Sequence, residues 1–483
     1  MNIRKISMAA AIAASLFATG CDYAEKDDVI ESRRSHEARE QKEQQGNEDG
    51  NDYTVWEFVH GTSYIYYLWN ENVPDYDLDY SQYPTPEDLF ESFRHQDDRF
   101  SVVVNNYTKT NNSFSNIYES DGISYQLYYK DKLGKKVIAV VEYVYDDTPA
   151  KAAGVKRGYV IHKVNGTQLT DENYAELLDQ KTCTYTYSVM EVTEEDGDLQ
   201  VSPGEELKET PAITKQQMDI DPILQTKVIT KDGRRIGYFL YDSFTDDTKC
   251  VIKAIEKLSA QQIDDLVLDL RLNGGGYNNT LDTLASMLVP DGHAGDVFLI
   301  DTYNSFLDAE LRREFKDKDY NKTFFSPMDT KLNIERLYVL TSGHTASASE
   351  QLIAGLMPYM PVTIIGDRTY GKFTANLLIN DTEDKGTDPD GIPYEEWAVY
   401  LCVASCTNSL GEMNFKNGFQ PDYAITDTYH YELGNEEEPL LAKALELCTG
   451  TLAKSATSYP APLKGYIGPY GKPIDKYGLI IKR

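Results

Sequence analysis

Residues 226–430 alternate strand-like and helix-like segments, and no other feature of the chain restricts its fold as strongly. Apolar, β-branched runs at 265–271 and 337–341 are each followed by a turn and then by a helical pattern. A further apolar run at 362–365 continues the alternation. A chain of this kind buries its strands against helices, so the segment predicts an α/β layered core.

Two smaller regions precede this core and one follows it. Residues 53–105 carry apolar and aromatic residues at helical spacing, which predicts a small N-terminal helical domain. Residues 117–205 hold β-branched and aromatic runs bounded by turn signals, which predicts a β-rich domain. Residues 431–483 are expected to supply a C-terminal helix and a tail.

The β-rich region contains an ordered series of turns. Thr148-Pro149-Ala150 predicts a short helix that ends at a glycine, and the next strand leads to the hairpin signal Asn165-Gly166. This order resembles a PDZ domain, with Tyr159 where PDZ domains usually have aspartate. PDZ domains bind extended peptides by adding a strand. By this resemblance, residues 121–124 would align with the carboxylate-binding loop, and the substrate-binding residues would be Gly122, Ile123 and Ser124. A β-rich domain without a peptide groove is the alternative.

The charge balance limits the possible partners. The 483 residues include 47 Lys and Arg against 78 Asp and Glu, which gives a formal net charge of −31. Nucleic-acid binding depends on a basic surface that neutralises phosphates. Nucleic acid is therefore excluded as a partner of so acidic a chain.

The first 21 residues are organised like an export signal. Arg4 and Lys5 precede a short apolar stretch at 8–17, and small residues lead to Cys21. The pattern resembles a bacterial lipoprotein signal, although Ala18 stands where such signals usually have leucine. The resemblance implies that Cys21 is lipidated and becomes the mature N-terminus. The alternative is an ordinary signal peptide with an incidental cysteine.

The segment after Cys21 fits an anchored protein. Residues 22–52 are rich in charged and amide side chains and nearly lack large apolar residues, so they predict a flexible acidic tether. We expect export across the inner membrane and attachment through the lipid on Cys21, as a periplasmic or cell-surface lipoprotein of the outer membrane. The sequence leaves the oligomeric state open.

The remaining cysteines do not outline a structural framework. They are Cys183, Cys250, Cys402, Cys406 and Cys448. An odd and sparse set is atypical of a disulfide-stapled domain. No cluster of His or Cys accompanies Cys402 and Cys406, as a zinc site would need. We therefore expect buried thiols, with one optional disulfide, and no metal site.

Two residues are suited to nucleophilic catalysis. Ser347 stands at a predicted strand-to-helix turn, where the exposed amides of the helix start can stabilise an oxyanion. Lys372 follows the run at 362–365, and a lysine in an apolar pocket has its pKa lowered from about 10.4 and can act as a general base. A structural interpretation is also open, because Ser347-x-x-Glu350 is a capping box and a single lysine is usually a solvated charge.

Four features together carry a family resemblance. They are TASASE at 345–350, TYGK at 369–372, LDLRLNGGG at 268–276 and the spacing of 25 residues between Ser347 and Lys372. With the PDZ-like region before them and GFQPD after them, they resemble the carboxy-terminal processing, or tail-specific, serine peptidases. The resemblance covers roughly residues 117–450.

This resemblance implies a fold, a site and an activity. The fold would be an α/β (α+β layered) protease core with a PDZ-like β-rich domain and a small N-terminal helical domain. Ser347 would be the nucleophile, Lys372 the base, and Asn376 takes the place where many members have a glutamine that positions the lysine. The implied oxyanion donors are the backbone amides of Ala348 and of Gly275 or Gly276. The implied activity is endopeptidase cleavage of unfolded or C-terminal peptide segments through an acyl-enzyme, with no metal or organic cofactor.

Competing interpretations have less support. Residues 366–372 fit most of a P-loop, but Phe373 stands where the magnesium-binding Ser or Thr belongs, and a strand rather than a helix is predicted after it. His344 could serve a Ser-His-Asp hydrolase, yet it lies in the same turn as Ser347 and the chain has no G-x-S-x-G. H-E-x-x-H is absent, so a zinc protease has no support. A non-catalytic peptide-binding lipoprotein that keeps the fold stays open as the alternative.

Overall fold

The computed structural model describes residues 54–75, 77–131, 133, 135–195, 198–316, 318–381, 387–388, 390–450 and 461–470. The expected signal peptide, Cys21 and the tether lie outside these ranges. Within them, no helix combines the length and the apolar character needed to cross a bilayer. Five cysteines lie in the described ranges, and none of them forms a disulfide.

Ten α-helices form in the described residues. They are α1 (Val55–Tyr66), α2 (Pro86–Phe93), α3 (Tyr107–Phe114), α4 (Pro149–Ala152), α5 (Tyr174–Asp179), α6 (Thr248–Ser259), α7 (Asn278–Leu288), α8 (Ser305–Phe315), α9 (Ala348–Leu356) and α10 (Pro439–Thr449). Several begin at side-chain caps, as at Thr54, Thr85 and Asp247, whose oxygens accept hydrogen bonds from first-turn amides. Short 3₁₀ turns lie at Asn70–Asn72, Tyr80–Gln82 and Tyr394–Glu396.

The described strands number twenty-three. They are β1 (Val102–Val104), β2 (Ile117–Ser120), β3 (Ile123–Asp131), β4 (Lys136–Val144), β5 (Tyr159–Val164), β6 (Thr167–Gln168), β7 (Thr182–Cys183), β8 (Tyr185–Glu195), β9 (Asp198–Pro203), β10 (Lys208–Glu209), β11 (Ile213–Thr214), β12 (Gln216–Asp219), β13 (Ile223–Lys231), β14 (Arg234–Tyr241), β15 (Asp265–Asp269), β16 (Val297–Tyr303), β17 (Lys322–Phe324), β18 (Arg336–Thr341), β19 (Val362–Gly366), β20 (Thr374–Asn380), β21 (Ala398–Asn408), β22 (Tyr423–Ala424) and β23 (Tyr466–Tyr470).

The chain separates into two compact units, and each unit gathers stretches that are distant in sequence. The first contains the described residues up to Asn111 together with 299–323 and 374–406. The second contains 112–298, 324–373 and the described residues from 407 onward. This division follows other bounds than the predicted domains, because 53–105 groups with later strands and 226–430 contributes to both units.

Long-range strand pairing explains this division in the first unit. Its sheet has the order β1-β21-β16-β17, with β20 also paired to β21. Because Val102 of β1 lies opposite Tyr400 of β21, the N-terminal segment is held by residues about three hundred positions later. The buried Tyr67 after α1 donates its hydroxyl to Asp98 at 2.8 Å and packs edge-on against Phe90 of α2.

The second unit begins with an eight-stranded sheet. Its order is β10-β8-β5-β4-β3-β23, with β6 on β5 and β9 on β8. The sheet covers a buried cluster that includes Leu127, Val141 and Ile161. It also extends beyond the predicted 117–205 region, because β10 and the tail strand β23 both belong to it. The tail predicted within 431–483 thus supplies a strand of this sheet.

The second unit continues with a six-stranded sheet of order β13-β14-β15-β18-β19-β22. Its first pair is antiparallel and the others are parallel, so that Leu268 of β15 lies between Phe239 of β14 and Val339 of β18. Successive side chains of β14 face opposite sides. Ile236 packs with the α10 cluster, whereas Gly237 faces Leu258 of α6. Helices therefore cover both faces, which confirms the α/β class.

Candidate active site

The predicted nucleophile Ser347, the predicted base Lys372 and the glycine loop (Gly274–Gly276) lie at one edge of the six-stranded sheet. The parallel strands β15, β18 and β19 are neighbours, and the carboxyl ends of neighbouring parallel strands meet at the same edge. Backbone hydrogen bonds join the loops that follow them. The Ala346 amide donates to the Asn273 carbonyl at 3.2 Å, and the Tyr370 amide donates to the Thr345 carbonyl at 2.9 Å.

Ser347 occupies a strained turn between β18 and α9. Its φ is 56° and its ψ is −117°, a conformation that residues with a side chain rarely adopt. Such strain persists only where the surrounding structure enforces it, and it concentrates at functional sites. The serine elbow of α/β hydrolases uses a sharp, strained strand-to-helix turn to present its hydroxyl. The backbone of Ser347 has a comparable strained geometry, and its side chain is half-buried.

Glu350 links the serine turn to the loop that carries Lys372. One oxygen of its buried carboxylate accepts the backbone amides of Ser347 at 3.0 Å and of Lys372 at 2.8 Å. The other accepts the Gly371 amide at 2.7 Å and the Thr369 hydroxyl at 2.6 Å. Burial raises the pKa of Glu350 to about 7, although these four hydrogen bonds oppose the shift. One carboxylate therefore fixes the backbones of both predicted catalytic residues.

The backbone of the glycine loop lies so close to its neighbours that a residue with a side chain would not fit there. A Cβ atom on Gly275, whose φ is 104°, would lie 2.8 Å from Ser347 Cβ and 3.0 Å from Ala348 N. A Cβ on Gly276 would lie 2.0 Å from the Phe244 carbonyl oxygen. Both positions therefore require glycine, and the loop backbone lies against the first turn of α9.

The two glycine amides differ in availability. The Gly275 amide donates to Asn273 Oδ1 at 2.9 Å, so it is already engaged. The Gly276 amide has no acceptor within the described part of the chain. Of the two glycines considered as oxyanion donors, Gly276 is the one whose amide is available in this conformation.

The remaining predicted site residues are placed as follows. Lys372 is half-buried. Asn376 lies on β20 in the first unit, where its side chain donates to Cys402 Sγ at 3.3 Å and accepts from the Thr374 hydroxyl at 2.9 Å. His344 is buried beside the glycine loop, with Nε2 3.3 Å from where a Cβ on Gly274 would lie. The amide of Asn376 is thus engaged with its own sheet.

The loop at 121–124 is hydrogen-bonded internally. The Gly122 amide donates to Ser120 Oγ at 2.9 Å, the Ile123 amide to Asp121 Oδ1 at 3.1 Å, and the Ser124 hydroxyl to Glu142 at 3.3 Å. The Asp121 carboxylate also accepts from the hydroxyls of Tyr125 and Tyr185. An incoming carboxylate would meet the Asp121 charge and find these amides in use.

A cleft adjoins the glycine loop on the second unit. Its lining consists of Ser113, Phe114, Asn116, Tyr118, Ser243 and Gly274–Gly276. These residues come from separate segments that carry no common motif, so the lining cannot be predicted from the sequence.

A buried ionic cluster lies below the site and was also not anticipated. Arg271, 1% exposed, donates to Asp269, Asp427 and Glu438, and Arg157 from the β-rich region binds both oxygens of Asp427 at 2.5 Å. Burial alone would raise the pKa of Asp427, but the two guanidinium charges hold it below its usual value. The cluster joins the loop after β15 to the segment before α10.

A parallel α/β core with a strained serine beside a glycine loop fits a serine-type peptidase. Residues 235–425 match the model of peptidase family S41, and residues 64–102 match the S41 N-terminal domain. The chain therefore contains a peptidase family S41 core, preceded by a segment that matches the N-terminal domain of that family.

Individual relatives agree with this assignment. The chain is 27% identical over 320 residues to a chloroplastic C-terminal processing peptidase of Tetradesmus obliquus, covering 63% of this chain and 60% of the relative. It is 26% identical over 309 residues to a carboxyl-terminal-processing protease of Picosynechococcus, covering 62% and 64%. Among solved structures, a Bacteroides fragilis protein assigned to the S41 proteases matches with a TM-score of 0.65 and 25% identity, covering 84% of this chain and all of that one. The chain spans less than two thirds of the length of these curated relatives.

Proposed function

We propose that the protein is a serine endopeptidase with a Ser347–Lys372 dyad. The observation that carries the proposal is the strained turn at Ser347, tied through Glu350 to the backbone of Lys372. Strain in a serine that begins a helix is costly for a purely structural cap. It is understandable where a hydroxyl has to be presented to a substrate.

The proposed reaction uses these groups in the following order. Neutral Lys372 takes the proton from Ser347 Oγ as the oxygen attacks the scissile carbonyl carbon. The oxyanion forms against the amides of Ala348 and Gly276. The C–N bond then breaks, the leaving amine receives the proton from Lys372, and an acyl-enzyme remains. Water attacks the acyl carbonyl while Lys372 takes its proton, and Ser347 Oγ regains a proton as the acid product leaves.

The substrate class follows from the PDZ-like region. We propose that unfolded or C-terminal peptide segments add as a strand to the eight-stranded sheet and are thereby delivered to the serine. The internal hydrogen bonds of the 121–124 loop favour recognition of the peptide backbone over recognition of a terminal carboxylate. Export and a lipid on Cys21 would place this activity on unfolded proteins outside the cytoplasm.

Cleavage and covalent labelling test the proposal together. The full chain is incubated with an unfolded reporter peptide, and separately with a fluorophosphonate probe that labels activated serines. We expect reporter cleavage and labelling confined to the peptide that contains Ser347. A chain that binds the reporter, leaves it intact and takes up no probe is the peptide-binding lipoprotein instead.

Replacing Glu350 by glutamine tests the link between the two loops. We expect kcat/KM for the reporter to fall by about ten- to a hundredfold, because a buried amide cannot accept the same four hydrogen bonds. The wild type should gain activity as pH rises through about 7, where the carboxyl ionises, and the variant should lack that inflection. An inflection that persists in the variant assigns it to another group.

Ionisation of the same carboxyl, which should raise the activity, should lower the stability of the folded chain. The pKa of Glu350 is higher in the folded chain than the usual value of 4.5, so the folded state binds this proton more tightly. Its contribution to stability is complete below pH 4.5 and is lost as pH rises through 7. Urea unfolding midpoints of the wild type should therefore fall over this interval more steeply than those of Glu350→Gln. Equal slopes would contradict the assignment.

A further inference from the structure

The strand that follows the 121–124 loop has both edges occupied. One edge of β3 pairs with β4, and the other pairs with the tail strand β23. β23 runs antiparallel to β3, so that Tyr466 lies opposite Tyr128 and Tyr470 lies opposite Tyr125. The Tyr129 amide also donates to the Gly465 carbonyl at 2.7 Å. The tail therefore advances along β3 toward the 121–124 loop.

A helix closes the other side of this tail segment. The Tyr470 hydroxyl donates to the Ala175 carbonyl of α5 at 3.1 Å, and its ring meets the Tyr174 ring edge-on with centroids 5.8 Å apart. Ile467 and Tyr470 also pack on the buried cluster under the sheet. The segment thus fills a groove between a strand and a helix. This is where a peptide would lie if it bound by strand addition.

Strand β23 of the tail is stabilised by few of the interactions that usually hold a strand in a sheet. It contains Gly468 and Pro469, and its register on β3 shifts between Tyr466 and Gly468. Proline has no amide to donate to a ladder, and glycine has no side chain to pack. Tyr466 is 49% exposed. β3 keeps its pairing with β4 when β23 leaves, so the groove can be vacated without loss of the sheet.

The same segment reaches the serine turn. The Tyr466 ring packs edge-on against Tyr128 with centroids 5.5 Å apart. Its hydroxyl lies 3.4 Å from where a Cβ on Gly343 would be. Gly343 precedes Ser347 in the turn that leads into α9. The occupant of the groove therefore contacts the loop that presents the proposed nucleophile.

We propose that Tyr466–Tyr470 is an intramolecular ligand of the groove between β3 and α5, and that it has to leave before a substrate peptide can add to β3 there. The inference rests on the proposed function, because it names the surface that receives the substrate. The groove accepts an antiparallel segment whose aromatic side chain packs edge-on against Tyr174. An intramolecular occupant competes at a high effective concentration, so it lowers the affinity for free peptide.

The test measures binding alone, in the full chain carrying Ser347→Ala so that no probe is cut. The probe is a fluorescent synthetic peptide of residues 461–470, followed by anisotropy. We expect Tyr466→Ala/Tyr470→Ala to lower the probe Kd on the order of tenfold, since the occupant is weakened. Tyr423→Ala, which alters an exposed tyrosine on β22, should leave the Kd unchanged. An equal Kd with and without the tail substitutions would overturn the inference.

A locked tail provides the converse measurement. Gln126→Cys and Pro469→Cys place cysteines at register partners, where a disulfide between adjacent strands can form. We expect the oxidised chain to lose probe binding and dithiothreitol to restore it, whereas undiminished binding in the oxidised chain would refute the inference. A lower probe Kd in the tail variants, together with a chain that keeps Ser347 and never cuts the reporter, would sustain the groove and refute the peptidase. Reporter cleavage by the chain that keeps Ser347, with a probe Kd that the tail substitutions leave unchanged, would sustain the peptidase and refute the groove inference.

Discussion

Ser347→Ala is expected to lower kcat/KM for an unfolded reporter by on the order of 10⁴–10⁶, and Lys372→Ala by a similar factor. Members of a catalytic unit act together, so the loss of either removes most of the chemical acceleration. Both variants should keep the wild-type circular dichroism spectrum and unfolding midpoint.

Matched controls separate this result from a general loss of structure. Ser259 and Lys331 form a hydrogen bond at the end of α6, away from the loops of the site. Ser259→Ala and Lys331→Ala should therefore retain wild-type kcat/KM. Full activity in Lys372→Ala alone would transfer the role of base to another group and return His344 to consideration.

Arg271→Met is expected to destabilise the chain by about 3–5 kcal/mol. The substitution preserves much of the side-chain volume but leaves the carboxylates of Asp269, Asp427 and Glu438 buried without their shared cation. Guanidinium unfolding monitored by tyrosine and tryptophan fluorescence measures the change. The structural reason is the cost of an uncompensated buried charge rather than the strength of any one ion pair.

An exposed ion pair supplies the comparison for this cluster. Arg312 of α8 pairs with Asp308 at 2.8 Å, and its side chain is 64% exposed. Arg312→Met should change stability by less than about 0.5 kcal/mol, since solvent screens the pair. A change below about 1 kcal/mol in Arg271→Met would show that the buried carboxylates take up protons or water at little cost.

Local patterns predicted the elements that present the site, and the structure confirms them. An apolar strand, a polar turn and a helical run around Ser347 are adjacent in sequence, so their periodicity and turn residues were sufficient. Glu350 was recognised only as a helix cap. Its bonds to the Thr369–Lys372 loop depend on the parallel pairing of β18 with β19, which a single sequence does not reveal.

The features that sequence analysis missed all depend on distant pairing. β23 contains glycine and proline and has no alternation of apolar residues, so nothing local marks it as a strand. The ion cluster combines residues from Arg157 to Glu438, and each of these alone resembles an ordinary surface charge. The interleaved first unit has the same cause, because β1 finds its partner near residue 400.

That interleaving has a consequence for how the protein is made. A ribosome adds on the order of 5–20 residues per second, so tens of seconds separate the emergence of β1 from that of its partner β21. During this interval the aromatic surface of α1 and α2 has no completed sheet to join. We therefore expect chaperones that hold nascent chains to bind the N-terminal segment. In a chain that ended before residue 398, β1 would have no β21 to pair with.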